Sequence, residues 1–257
     1  MDPNNTSDSI SPGIFTAEED TIRQNFLITH DSDVVLFNKL LHVYEAFLSS
    51  TSDKVRNDDF PNWTILILLS QTLPLMNNAM SLLACGYLRS SEIMIRVTSE
   101  SVILSNCFKE FPEIEKDYRA KNYREFFHDY PIESMLKKVQ EEGTIFIADK
   151  ALANSMRWHK MVFKNTFEEA SRFLHSNPNL LYDLTVDNQS LNSDKVNLIM
   201  GPQQYRDESV SMGIKRIFNI TLYSLLVLGV SLGITPDDEQ IEIINQSNEL
   251  VKNISIK

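Results

Sequence analysis

Apolar side chains recur at intervals of three and four residues along most of this chain, the spacing that places them on one face of an α-helix. Residues 33–48 show the pattern clearly, with Val34, Leu41 and Leu48 in register. Thr16, followed by acidic residues, is typical of a helix start, and a last amphipathic helix is predicted from about 237 to 253. The pattern predicts an all-α fold of about eight to ten helices in one bundle-like domain.

Two segments depart from the helical pattern. Residues 1–15 are rich in Asn, Ser, Asp and Pro, a composition that predicts a disordered tail. The remaining residues, 16–257, are then one helical domain. Within it, residues 177–202 are polar with short β-prone pieces. They predict an irregular insert, with a small hairpin as one alternative.

The apolar segments predict where helices are interrupted and which are buried. Pro74 lies inside the apolar run 60–85 and should kink that helix or divide it in two. Residues 217–234 are apolar enough to consider as a membrane span, although Asn219 and Ser224 lie within them. We interpret this segment as the central helix of a large helical domain, and a membrane span is the alternative.

Charge and cysteine content narrow the classes of function. The net charge of −11 would repel a phosphate backbone, so nucleic-acid binding is disfavoured. Cys85 and Cys107 would lie about 33 Å apart on one continuous helix, too far for a disulfide. Neither has metal-ligand spacing. The histidines also lack metal-ligand spacing, and the chain has no glycine-rich nucleotide-binding motif, so we predict no metal and no cofactor. Two free thiols and a polar N-terminus without a signal peptide indicate the cytoplasm.

One helix, predicted over residues 86–108, places charges where burial is expected. Arg89, Glu92, Arg96 and Glu100 lie close together on a helix that is otherwise apolar nearly all round. Buried charges must pair or line a wet cleft, and the spacing allows pairs at i, i+3 and i, i+4. One interpretation is a structural ion-pair ladder. The other is a polar pocket in which arginines hold an anionic ligand.

A second candidate lies near residue 175. Ser171 and His175 are four residues apart on one predicted helical face, and His175 is in the last turn. A histidine there is either a C-terminal cap or core residue, or an acid–base group. The candidate catalytic residues are thus Arg96, Glu100 and His175. The candidate ligand-binding residues are Arg89, Arg96, Ser171 and Arg172.

The segments AMSLLACGYLRSSEIMIRVTSESVIL and FKNTFEEASRFLHSNPNL carry a family resemblance. They resemble the uncharacterised all-helical family called domain of unknown function 5677, over roughly residues 65–235. The matching positions are Gly86, Arg96, Glu100, Phe167, Ser171 and His175. Phe167 stands where a tyrosine is common in that family. The resemblance implies that Arg96, Glu100 and His175 meet in space, and it supplies no reaction.

Three functions are compatible with these features. The leading hypothesis is a non-enzymatic interaction or regulatory protein, with a homo-oligomer or another protein as its partner. The first alternative is an RNA-acting or other hydrolytic enzyme of the stress or phage-defence type, in which His175 is the general acid/base and Arg96 stabilises phosphate charge. Helical ribonucleases of that type place four to six residues between Arg and His, whereas Arg124 and Arg172 have only three and two. The second alternative is a membrane-associated protein anchored through 217–234.

Overall fold

The computed structural model confirms the all-α fold. All regular secondary structure in the residues it describes is helical. The predicted tail and the predicted insert at 177–202 lie outside those residues. The structure describes residues 16–52, 60–142, 164–168, 170–171, 202 and 207–252.

Nine helices have both ends inside the described residues, within the predicted eight to ten. Residues 164–168, 170 and 171 are also helical and are called the 164–171 stretch below. The nine helices are α1 Thr16–Ser52, α2 Phe60–Ser70, α3 Thr72–Ala84, α4 Leu88–Glu110, α5 Pro112–Ala120, α6 Tyr123–Asp129, α7 Ile132–Glu142, α8 Asp207–Leu232 and α9 Asp238–Lys252.

Two helices, α4 and α8, form the centre of the fold. Helix α4 packs against α2, α3, α5, α7 and α8, and α8 packs against α1, α2, α3, α4 and α9. Their inward residues, such as Ile95 and Val102 of α4 and Ile217 and Phe218 of α8, are fully buried. Most of the other helices pack against this pair, so a buried polar group on α4 or α8 needs a partner on its own helix or on a neighbouring one.

Two helical stretches among the described residues are long and apolar enough to cross a membrane, namely Trp63–Ala84 and Asp207–Leu232. The apolar window of Asp207–Leu232, which is α8, is 78% buried by the rest of the chain. A membrane span needs no such cover, whereas a core helix does. This burial favours the core interpretation of 217–234. The window of Trp63–Ala84 is only 33% buried.

Local sequence signals account for the breaks between α2, α3 and α4. Pro74 lies in the first turn of α3, just after the break at Gln71, as the missing proline N–H predicts. Helix α3 ends in a Schellman motif, in which Gly86 takes φ 81° and the Tyr87 N–H donates to the Leu82 carbonyl at 2.8 Å. Glycine tolerates that φ without a steric penalty.

This break corrects the expected geometry of the two cysteines. Cys85 is the C-cap of α3 and Cys107 lies in α4, so they are not on one continuous helix and the 33 Å separation does not apply. Both thiols are nevertheless free. Burial raises the pKa of the Cys107 thiol to about 12, which keeps it protonated and unreactive at neutral pH.

A chain of buried hydroxyl groups joins four helices. The Tyr44 hydroxyl of α1 donates to the Leu69 carbonyl at 2.8 Å and lies 2.6 Å from Ser224 Oγ of α8. Ser224 Oγ lies 2.9 Å from Thr72 Oγ1 of α3. Because the single Tyr44 proton goes to Leu69, Ser224 donates to Tyr44 and Thr72 donates to Ser224. The Leu69 carbonyl is in the last turn of α2, where carbonyls lack intrahelical partners.

Replacing Tyr44 with Phe should remove this junction without leaving a large cavity. We expect Tyr44→Phe to lower the free energy of unfolding by about 1–3 kcal/mol, because a buried donor and a buried acceptor lose their partner. Tyr123→Phe is the control, since Tyr123 is 77% exposed and should change stability by less than about 0.5 kcal/mol. Chemical denaturation measures both, and equal effects would contradict this account.

Candidate functional site

Arg96 of α4 is the centre of the polar site. Its side chain is almost completely buried, with 4% of the residue exposed. Arg96 Nη1 donates to Glu100 Oε1 at 2.5 Å, and Arg96 Nε donates to Ser171 Oγ at 2.7 Å. The guanidinium carbon lies 3.9 Å from the centroid of the Phe167 ring. The guanidinium therefore has an ion pair, a hydrogen bond and a cation–π contact.

Ser171 is oriented by its own helical turn. Its Oγ donates to the Phe167 carbonyl at 2.7 Å. Since a serine hydroxyl has one proton, the lone pairs of Oγ are left to accept from Arg96 Nε. Phe167 and Ser171 are four residues apart, so one face of the 164–171 stretch supplies both contacts to Arg96. The stretch is thereby fixed against α4.

Glu92 is paired differently from the prediction. Its Oε1 accepts from Arg216 Nη1 of α8 at 2.6 Å, and the Glu92 side chain is 1% exposed. The helical spacing allowed the pairs Arg89–Glu92, Glu92–Arg96 and Arg96–Glu100. Among the described residues, only Arg96–Glu100 forms. Arg96 points toward Glu100 and the 164–171 stretch, which leaves Glu92 to bind α8. Glu92 and Arg96 therefore connect α4 to other segments, and Arg96–Glu100 is the one pair of the expected ladder that forms among the described residues.

The structure does not place the other predicted site residues, Arg89, Arg172 and His175, in contact with this cluster. Arg89 is half-buried and has no ion-pair partner within the described part of the chain. Arg172 and His175 lie outside the described residues. The contact between Arg96 and Glu100 is observed. The expected contact of this pair with His175 remains a prediction.

Sequence reasoning missed two residues of α8 that belong to the polar site around Arg96. One is Arg216, and the other is Asn219, whose Nδ2 donates to Thr166 Oγ1 of the 164–171 stretch at 3.0 Å. Both Asn219 and Thr166 are buried. The signal was present in the sequence, because Arg216 and Asn219 are three residues apart on one face of an otherwise apolar helix. Their partners, however, are distant in sequence.

The geometry leaves Arg96 little capacity for an incoming ligand. Two of its nitrogens already donate to protein oxygens, Phe167 covers one face of the planar guanidinium, and solvent hardly reaches the side chain. The described residues also include no group of three or more His, Cys, Asp or Glu side chains placed to hold a metal ion. The arrangement suits a structural role for Arg96 better than recognition of a free anion.

An open groove is found elsewhere in the described residues. It lies between α1 and the start of α9 and has a volume of about 380 Å³. Lys39 and His42 line one side, and Asp237 and Glu242 line the other. None of the residues around Arg96 contributes to it. Its mixed charges define no single class of ligand.

Comparison with known proteins does not identify the site. The chain matches no known family model, no curated protein and no solved structure. The resemblance to domain of unknown function 5677 therefore remains a prediction.

The Glu92–Arg216 pair should couple strongly because it is desolvated. A double-mutant cycle with Glu92→Gln and Arg216→Gln should give a coupling free energy of about 1–3 kcal/mol. The matched control is the exposed pair Glu249 and Lys252 of α9, treated in the same way, for which we expect at most about 0.5 kcal/mol. Chemical denaturation supplies both values. Similar coupling in the two pairs would show that the buried pair does not hold α4 to α8.

Proposed function

We propose that this chain is a non-enzymatic helical interaction or regulatory protein, and that its buried polar cluster is structural. The observation that supports this most directly is the state of Arg96, which is buried and already paired with Glu100 and Ser171. An arginine used for catalysis or ligand binding needs donors that point into an accessible cleft. Those of Arg96 point at protein atoms.

The cluster would act by fixing the positions of helices. Glu92 binds α8, Arg96 binds the 164–171 stretch, and Asn219 of α8 binds the same stretch. Replacing a buried ion pair by apolar side chains is often neutral, whereas removing one partner is costly. The main effect of these charges is therefore to favour one arrangement of the helices over others. Their net contribution to the free energy of unfolding is smaller. A fixed helical surface suits a protein that binds other proteins.

The alternatives have less support. A hydrolytic enzyme acting on RNA would need Arg96 to leave its partners and contact phosphate, in a chain with a net charge of −11. A membrane anchor through 217–234 would need α8 to leave the core, where most of its apolar window is buried. A cytoplasmic location, with the free thiols Cys85 and Cys107 in a reducing compartment, is part of the proposal.

Native co-purification distinguishes the interaction role from the enzyme alternative. The tagged chain is isolated without detergent, and mass spectrometry identifies bound proteins, nucleotides and RNA. We expect defined protein partners, with no nucleotide or RNA in stoichiometric amounts, because no described basic surface offsets the acidic charge.

Charge-removing variants give this experiment its control. Arg96→Met removes the buried charge, and Lys252→Met removes an exposed one. RNA or nucleotide that binds the wild type and Lys252→Met, but not a folded Arg96→Met, would contradict the proposal and support the enzyme. Circular dichroism establishes that each variant is folded.

A further inference from the structure

Helices α2 and α3 form the least charged part of the chain. From Phe60 to Leu88 the sequence contains no Asp, Glu, Lys, Arg or His, although 23% of all residues are Asp, Glu, Lys or Arg. Burial does not explain this absence, because only 33% of the apolar window Trp63–Ala84 is buried. Much of this uncharged surface faces outward. Exposed helical surfaces ordinarily carry charge, which keeps proteins soluble.

The outward residues form one continuous stripe. Exposed positions recur every three or four residues across the break at Gln71, so they stay on one side of both helices. The opposite side, with Ile65, Leu69 and Met76, is fully buried in the core. We call the outward side the α2–α3 outer face. Its exposed positions include Trp63, Ile67, Gln71, Pro74, Asn78 and Ser81.

The apolar end of this face lies on α2. Trp63 is 37% exposed and Ile67 is 47% exposed, one helical turn apart, with half-buried Leu66 beside them. The α3 end is polar but uncharged, with Asn77, Asn78 and Ser81 exposed. An apolar patch beside uncharged polar groups is similar to a protein interface, because charged residues are depleted from the core of such interfaces.

We propose that the α2–α3 outer face binds the same face of a second copy of this chain. Two copies with a net charge of −11 repel each other, and a surface without charge is where they approach at the lowest electrostatic cost. A two-fold axis brings the same stripe of each copy together, so that a face without charges pairs with itself and leaves no buried ion unpaired.

The same charge argument selects the second copy over a lipid surface. Proteins that lie on membranes carry Lys and Arg beside their apolar face, which attract anionic lipids. The outer face has none, and the net charge of the chain is strongly acidic. The inference rests on the proposed interaction role, for which it names one partner.

The test is the mass of the purified chain in solution, measured by sedimentation equilibrium over a range of concentrations. We expect a monomer–dimer equilibrium for the wild type. Ile67→Glu should raise the dissociation constant about tenfold or more, because it places two charges in the dimer interface. Ile28→Glu is the matched control, since Ile28 is 83% exposed and lies on α1, which contributes no residue to this face. It should leave the dissociation constant unchanged.

Several outcomes would overturn the inference. A wild type that stays monomeric would do so, as would a dimer that Ile67→Glu leaves intact. Flotation with phosphatidylcholine vesicles tests the lipid alternative, and binding by a monomeric wild type that Ile67→Glu abolishes would assign the face to membranes. A monomeric chain that still co-purifies with other proteins would overturn the self-association and leave the proposed interaction role standing.

Discussion

A charged side chain buried in a helical core needs a partner, and this requirement organises the centre of the fold. Glu92 and Arg96 lie on α4, which is surrounded by other helices. Their partners come from α8 and from the 164–171 stretch, so the electrostatic requirement is met only when these segments are in place. The buried charges of α4 therefore find all of their partners only in the folded arrangement of these segments.

Helix α8 shows how polar groups set the position of an apolar helix. Dispersion and hydrophobic contacts are not directional, so a uniformly apolar helix slides or rotates at low cost. Arg216, Asn219, Tyr223 and Ser224 add directional bonds to different partners. These bonds connect α8 to α4, to the 164–171 stretch and, through Ser224 and Tyr44, to α1. Each bond excludes alternative registers of the helix.

The sequence predicts the helices well because their determinants are local. Thr16 begins α1 as predicted. The last helix begins after a capping box, in which the Gln240 N–H donates to Asp237 Oδ1 and the Asp237 N–H donates to Gln240 Oε1. The break near Pro74 is likewise local. Such signals lie within a few residues of the structure they specify, and neighbouring helices do not alter them.

The partners of the charged residues were beyond local reasoning. Spacing along α4 correctly gave Arg96–Glu100, which is an intrahelical pair. It also allowed Glu92–Arg96, which does not form, because Arg216 comes from 124 residues farther along the chain and takes Glu92. Ser171 is 75 residues from Arg96. One sequence indicates which charges need partners, but only the packing of α4, α8 and the 164–171 stretch determines which partners they find.

The most direct test of a structural cluster compares two arginines of α4. Arg96 is buried and paired, whereas Arg89 is half-buried without an ion-pair partner in the described residues. Chemical denaturation of Arg96→Met and Arg89→Met gives the change in the free energy of unfolding for each. We expect a loss of about 2–4 kcal/mol for Arg96→Met and less than about 0.5 kcal/mol for Arg89→Met. An Arg96→Met protein as stable as the wild type would contradict the claim that Arg96 is a paired, structural part of the core.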